Sequence, residues 1–438
     1  MSDTFTPNQG QAEAIDRFMG FLFEPSVGFN ISGPAGTGKT ATMKHFIDKT
    51  IPAYQETCKL MGIKPEFEEV VMTATTNKAA EVLSTATRYP TQTIHSFLQL
   101  KVNEDYSSGK TKLTKTSGFK VNRKKIIFID EASMVDTALF NLLQEGTEKC
   151  KVVFVGDKEQ LAPIYEKISP AYTQGYDIVE LTQQMRNNKQ PALMELCEQL
   201  RETVKTGVFK PIKLVDGVID HISSDEELYE GLKYLFKEPT RDHRVLAYTN
   251  ARVRAYNYEI RKIRGLSDEF VLGEALIANQ VFKSSNNTSF SAEEEVVITK
   301  ISKLHETVEI APGIQFKYNV CDLTNSFGDT IRDVRVPVDM EHYYDIIRYF
   351  AKEKNWDQYF RMKGAYPDLR TRDAATTHKA QGSTYKSVII DLEDISTCRD
   401  PEQAARLLYV AFSRAQERVY IRGNLAAKFG GLDGSSYY

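Results

Sequence analysis

The chain has 438 residues, 41% of them hydrophobic and 26% charged, with a formal net charge of −3. That composition suits a soluble globular protein of two to four domains, at roughly 100–200 residues each, and excludes a disordered or low-complexity chain. The slight negative charge gives no overall attraction to a polyanion, so any nucleic-acid contact must come from local patches. The longest apolar runs, such as IIFID and VVFVG, fall far short of the ~20 residues of a membrane span, and the polar start MSDTFTPNQG does not read as a signal peptide. Five cysteines (Cys58, Cys150, Cys197, Cys321 and Cys398) without CxxC spacing suggest neither disulfides nor zinc, and fit a reducing cytoplasm.

In chain order, VGFNISGPAGTGKTATMKHFI predicts a short strand, a glycine-rich loop and a helix that buries Met43, Phe46 and Ile47. Gly33, Pro34, Ala35, Gly36, Thr37 and Gly38 then form a loop whose N–H groups converge on phosphate oxygens at a helix N-terminus. Lys39 is placed to reach the β- and γ-phosphates of ATP, and the Thr40 hydroxyl to ligate Mg²⁺. Residues 97–122 are polar and basic around SSGK, as in a hairpin with a glycine turn. Lys101 to Lys125 carries eight Lys or Arg against Glu104 and Asp105.

KKIIFIDEASMV predicts a buried parallel strand that delivers Asp130 to the Mg²⁺ shell and Glu131 as the base orienting the attacking water. KVVFVGDKEQLAPI predicts a third strand, with Gly156 and Asp157 in the turn and Gln160 as a neutral γ-phosphate sensor; Asp157 reads equally well as an ordinary turn residue. Together these strands describe an α/β doubly wound domain with its ligand at the C-terminal edge of the sheet. Arg241 to Arg264 is a second basic stretch, with seven cations against two acids and three interleaved tyrosines. Residues 293–324 alternate at period two, as small-barrel strands do, and residues 340–360 form an amphipathic pattern in which Trp356 reads as packing. TTHKAQGSTYKSVIID reads as a glycine-containing loop entering a buried strand.

A P-loop with an acidic strand end also describes kinases, GTPases and transporter ATPases. The order of the remaining motifs from Phe5 to Tyr420 resembles superfamily 1 helicases of the Dda- and RecD-like group. That resemblance implies two RecA-like motor domains, at 1–96 with 123–185 and at 186–270 with 371–438. It also implies a pin at 97–122 and an SH3-like barrel with a helical arm at 271–370. By the same resemblance FTPNQGQA reads adenine through Gln9, with Gln11 as the alternative, and Arg186 and Arg414 act as fingers on the γ-phosphate. Gly382 would lie on the nucleotide side, and Thr75, Asn77, Thr93, His95, Thr249, Asn250, Arg252, His378 and Lys379 would grip the DNA backbone. Tyr106 and Phe119 are the candidates for the pin tip. The implied activity is ATP-driven 5′ to 3′ movement on single-stranded DNA with separation of forked duplex. The implied setting is a monomer, working with a single-strand-binding protein or with replication and recombination factors in a phage-infected cytoplasm. The alternative is an ATP-gated remodeller that clamps DNA or displaces proteins without processive unwinding.

Overall fold

The computed structural model describes residues 5–163, 166–183, 190–283, 289–325 and 328–433. The chain divides into two compact units, one of Met1–Lys101, Leu113–Lys210 and Arg399–Glu417, the other of Val102–Lys112, Pro211–Cys398 and Arg418–Tyr438. These bounds part from the expected ones: 271–370 is not set apart, and 186–210, expected in the second motor domain, groups with the first unit. The helix Pro401–Ser413 groups with the first unit because it packs on Pro191–Thr206, and the hairpin tip at 102–112 groups with the second.

The first unit is built on a six-stranded sheet in the order Asp177–Glu180, Gly28–Ser32, Lys151–Gly156, Lys125–Asp130, Glu69–Ala74, Thr91–Thr93, every pair parallel. Period-two alternation divides each central strand between two cores. Ile126, Phe128, Val153 and Val155 enter one, while Ile127, Ile129, Val152 and Phe154 enter the other. Helices therefore cover both faces, and the strands read as unbroken apolar runs because neither face meets water. Met43, Phe46 and Ile47 are buried as expected. The helix Gln9–Phe21 begins at an Asn8–Gln11 capping box and packs its fully buried Phe18 against Phe46, with ring centroids 4.0 Å apart, and near Phe21, Phe29 and Phe128.

The second unit holds a five-stranded sheet in the order Ile219–Ile222, Ala415–Arg422, Tyr385–Asp391, His243–Ala247, Ala374–Thr376. It also holds an antiparallel sheet of Ala275–Ala278, Glu295–Ile301, Glu306–Ala311, Ile314–Asn325, Thr330–Pro337 and Leu369–Thr371. The helices Met340–Lys352 and Trp356–Ala365 pack on that sheet through Tyr343, Ile346, Phe350, Met362 and Tyr366, which meet Phe316 and Tyr318. Among the described residues no helix is long and apolar enough to cross a membrane, and all five cysteines are free.

The Phe18 ring joins the first helix to the sheet and to the helix behind the glycine-rich loop. Phe18→Ala is expected to lower stability by about 3–5 kcal/mol, through lost burial and the cavity left behind. Urea unfolding followed by tryptophan-independent circular dichroism checks this, and a loss below ~1 kcal/mol would show that the helix is not anchored by this ring.

Candidate active site

The Gly28–Ser32 strand lies between two parallel neighbours, in a register that pairs Ser32 with both Gly156 and Glu180. The chain then turns so tightly that Gly33 N donates to Gly156 O at 3.0 Å, and a Cβ on Gly33 would come 2.3 Å from Leu181 O. Gly36 and Gly38 take φ of 89° and 85°, which lets the loop curl before the helix begins at Lys39. Lys39 Nζ donates to Gly33 O at 2.6 Å and Pro34 O at 3.0 Å, so its ammonium lies across the loop, and Thr37 Oγ1 donates to Pro34 O at 2.9 Å. Ala35 and Thr40 are half-buried in the loop and in the first helical turn.

Two strands away Asp130 ends its strand, and Glu131 takes a φ of 55°, a left-handed turn that swings its carboxylate off the strand direction. Burial, then the adjacent Glu131 charge, pushes the Asp130 carboxyl up to about 7. The Asp130 carboxylate and the Thr40 hydroxyl are oxygen donors of the kind a divalent cation takes. Gln160, 5% exposed, follows the third strand, and its Oε1 has no hydrogen-bond partner among the described residues. A buried amide oxygen without a partner suits a group that waits for a ligand or water.

The two adenine candidates separate. Gln9 is exposed, whereas Gln11 is 1% exposed, accepts from Asn8 N at 3.0 Å and reaches Thr37 O from Nε2 at 3.4 Å. Of the two, Gln11 is therefore the one set against the glycine-rich loop.

Comparison with known proteins places this geometry in a family. The chain matches the AAA domain family over residues 6–215 and the UvrD-like helicase C-terminal domain over residues 373–421. It is 25% identical over 451 aligned positions to the ATP-dependent DNA helicase dda of Enterobacteria phage T4, covering 94% of this chain and 98% of the relative. These likenesses support an ATP-dependent DNA helicase of the Dda-like superfamily 1 group. An uncharacterized protein of Acanthamoeba polyphaga mimivirus is 24% identical over 487 aligned positions, covering 89% of this chain and 94% of its own. In fold the chain is similar to a Pif1 helicase solved in a study of forked-duplex unwinding, with a TM-score of 0.52 at 15% identity over 97% of this chain and 94% of that one. The likeness supports two RecA-like domains.

The remaining candidates of this helicase are placed as follows. In the first unit Thr75 is buried, Asn77 opens its helix on the surface, and Thr93 caps the helix that carries His95. Burial holds His95, like His378 in the second unit, below the usual histidine range, so both are neutral at pH 7. Arg414 is 2% exposed at the end of its helix, where it donates to Val410 O and Ser413 Oγ. Arg186 lies outside the described residues. In the second unit Thr249 caps its helix and is bonded to Asp394, Asn250 accepts from Arg370, and Gly382 has a φ of 76°.

One expectation needs correction, and two candidates have partners within the chain. Arg252 pairs with the buried Asp391 and stacks on Tyr256, while Arg254 pairs with Glu341 at 2.8 Å and stacks on Tyr344, so this part of the second basic stretch is neutralised internally. Lys379 is likewise held by Asn279 and Glu293. Phe119 does not tip the hairpin; it packs on the core of the first unit with Lys115 over its ring. Reading the sequence also missed Glu159, Arg201, Arg406 and Tyr409, which surround the Gln160 loop. Arg406 and Tyr409 stand three apart on one helical face, a legible signal, but the loop they meet is far away in sequence.

Lys39→Ala is expected to lower ATP turnover by about 10²–10³ and to leave nucleotide-free DNA binding intact, because its ammonium serves phosphate. Glu131→Gln should keep nucleotide affinity and lose about 10²–10⁴ in kcat. Steady-state ATPase beside equilibrium nucleotide binding checks both, and equal losses of affinity would reverse the assignment of the two acids. For the paired arginines, Arg254→Gln should leave the salt dependence of single-stranded DNA affinity unchanged, whereas a true phosphate contact would lower the slope by about 0.7.

Proposed function

We propose that the protein couples ATP hydrolysis to 5′ to 3′ movement along single-stranded DNA and separates duplex at a fork. The observation that carries this reading is the row of phosphate-facing groups on one sheet edge, Lys39, Asp130 with Glu131, and Gln160, in a chain similar from end to end to an ATP-dependent DNA helicase. Mg²⁺ held by Asp130 and Thr40 would neutralise charge between the β- and γ-phosphates. Lys39 and the loop N–H groups hold the γ-phosphate, Glu131 orients the attacking water, and Gln160 reads whether the γ-phosphate is present. Gln11 supports adenine from behind the loop. Polarity rests on the likeness to the 5′ to 3′ group.

Strand separation is assigned to the hairpin Leu100–Asp105 and Lys110–Lys115. Its turn carries Tyr106, 54% exposed, whose ring lies 5.0 Å from that of Phe360. Gly109, at a φ of 69°, rests on Trp356 so closely that a Cβ there would come 2.3 Å from the indole. A two-stranded ribbon alone is too soft to part a duplex, and backing it with a helix supplies the stiffness a wedge needs. That support favours unwinding over a clamp that only remodels.

A fork with a 5′ tail should be unwound and one with only a 3′ tail should not; the reverse preference would overturn the polarity. Phe360→Ala should slow unwinding by about tenfold, the kinetic equivalent of the ~1.4 kcal/mol an aromatic contact supplies, while DNA-stimulated ATPase is kept. Normal unwinding by this variant would remove the wedge from the reading and leave the ATPase untouched.

A further inference from the structure

The loop that carries Gln160 is gripped from several sides by groups no part of the ATPase reading uses. Arg406 Nη1 donates to Lys158 O at 2.7 Å and to Gln160 O at 2.6 Å. One turn further along the same helix, Tyr409 Oη donates to Asp157 Oδ2 at 2.6 Å. Arg201 Nη2 pairs with Glu159 Oε2 at 2.8 Å, and Lys158 N donates to Ser32 Oγ at 3.2 Å beside the glycine-rich loop. Every residue from Asp157 to Gln160 is thus pinned by a named bond, and Asp157, Glu159, Gln160, Arg201 and Tyr409 are all buried. A buried ionic cluster of this kind is a poor source of stability, because desolvation offsets its attraction, but it fixes geometry well.

We propose that Arg406 and Tyr409 are positioning residues for ATP hydrolysis: by clamping the Asp157–Gln160 turn they set the Gln160 amide at the distance from the glycine-rich loop where it distinguishes a γ-phosphate from none. The proposal rests on the ATPase reading above. Arg406 suits the role because a single guanidinium nitrogen bridges two carbonyls of the turn, including that of Gln160 itself. Tyr409 fixes the start of the turn, so the two bonds together remove its freedom to rock. An amide displaced by even ~1 Å would lose its transition-state contact without weakening the rest of the nucleotide site.

The test compares Arg406→Lys, Tyr409→Phe, Gln160→Ala and the two double variants containing Gln160→Ala, each assayed with saturating single-stranded DNA. Affinities for fluorescent ADP and for a non-hydrolysable ATP analogue are measured alongside. The expected result is an unchanged ADP affinity, a fall of about 10- to 100-fold in kcat, and a loss of the analogue's advantage over ADP. Each double variant should be no worse than Gln160→Ala alone, because the clamp acts only through that amide. Losses that multiply in the doubles, or full kcat in both single clamp variants, would overturn the proposal. Tyr409→Phe removes one oxygen and carries the test if Arg406→Lys does not fold. No turnover in the unaltered protein would instead overturn the ATPase reading, which separates the two failures.

Discussion

Parallel strands that hydrogen-bond to one another finish at a common edge, and the chemistry of the first unit depends on that constraint. With Gly28–Ser32, Lys151–Gly156 and Lys125–Asp130 adjacent in the sheet, the glycine-rich loop, the Gln160 turn and the two acids leave it side by side, although about a quarter of the chain separates them in sequence. The edge leaves little slack. Gly33 is bonded to Gly156 and abuts Leu181, and a Cβ on Gly156 would come 2.7 Å from the Tyr172 hydroxyl, so two strand ends can approach only as bare backbone. The same closeness that admits a phosphate therefore excludes side chains that would block it.

Gathering acids at a dry edge carries an electrostatic cost. Burial and neighbouring carboxylates push both Asp130 and Glu159 up to about 7. Asp157 lies lower than an ordinary carboxyl: burial alone would raise it, but hydrogen bonds from Glu159 and Tyr409 and the charges of Lys39 and Arg201 more than offset that. The contrast separates two kinds of acid. Asp157 is satisfied by Tyr409 and by the charges of Lys39 and Arg201, whereas Asp130 stands beside the like charge of Glu131. Removing one member of such a cluster strands its partner in a low dielectric, which is why the hydroxyl-only change at Tyr409 is a cleaner probe than deleting a charge.

How far the site was legible follows from whether its chemistry is local in sequence. The glycine-rich loop and the Asp130–Glu131 pair were legible because fold and function there depend on spacing within a few residues, and the strands around them follow from apolar runs alone. Gln11 was legible in principle, since Asn8 and Gln11 have the spacing of a capping box, and that box fixes the amide against the helix start. The partners of Arg252 and Arg254 were not legible, because a run of cations shows its charge but not the acids that pair with it. Asp391 and Glu341 arrive from segments roughly 90–140 residues away. Phe119 was misread for a similar reason: the hairpin pattern shows a turn, but not which flanking aromatic the core captures.

That internal pairing also bears on how a chain of net charge −3 can hold a polyanion. Cations that already have buried or stacked partners contribute little to counterion release, so the salt-dependent share of affinity must come from basic groups left facing solvent. Lys101, Lys110 and Lys120, around the hairpin, are exposed, and the hairpin turn is seated on Trp356 and Phe360. The acids at the sheet edge, Asp130 and Glu131, would repel a phosphate backbone drawn close to them.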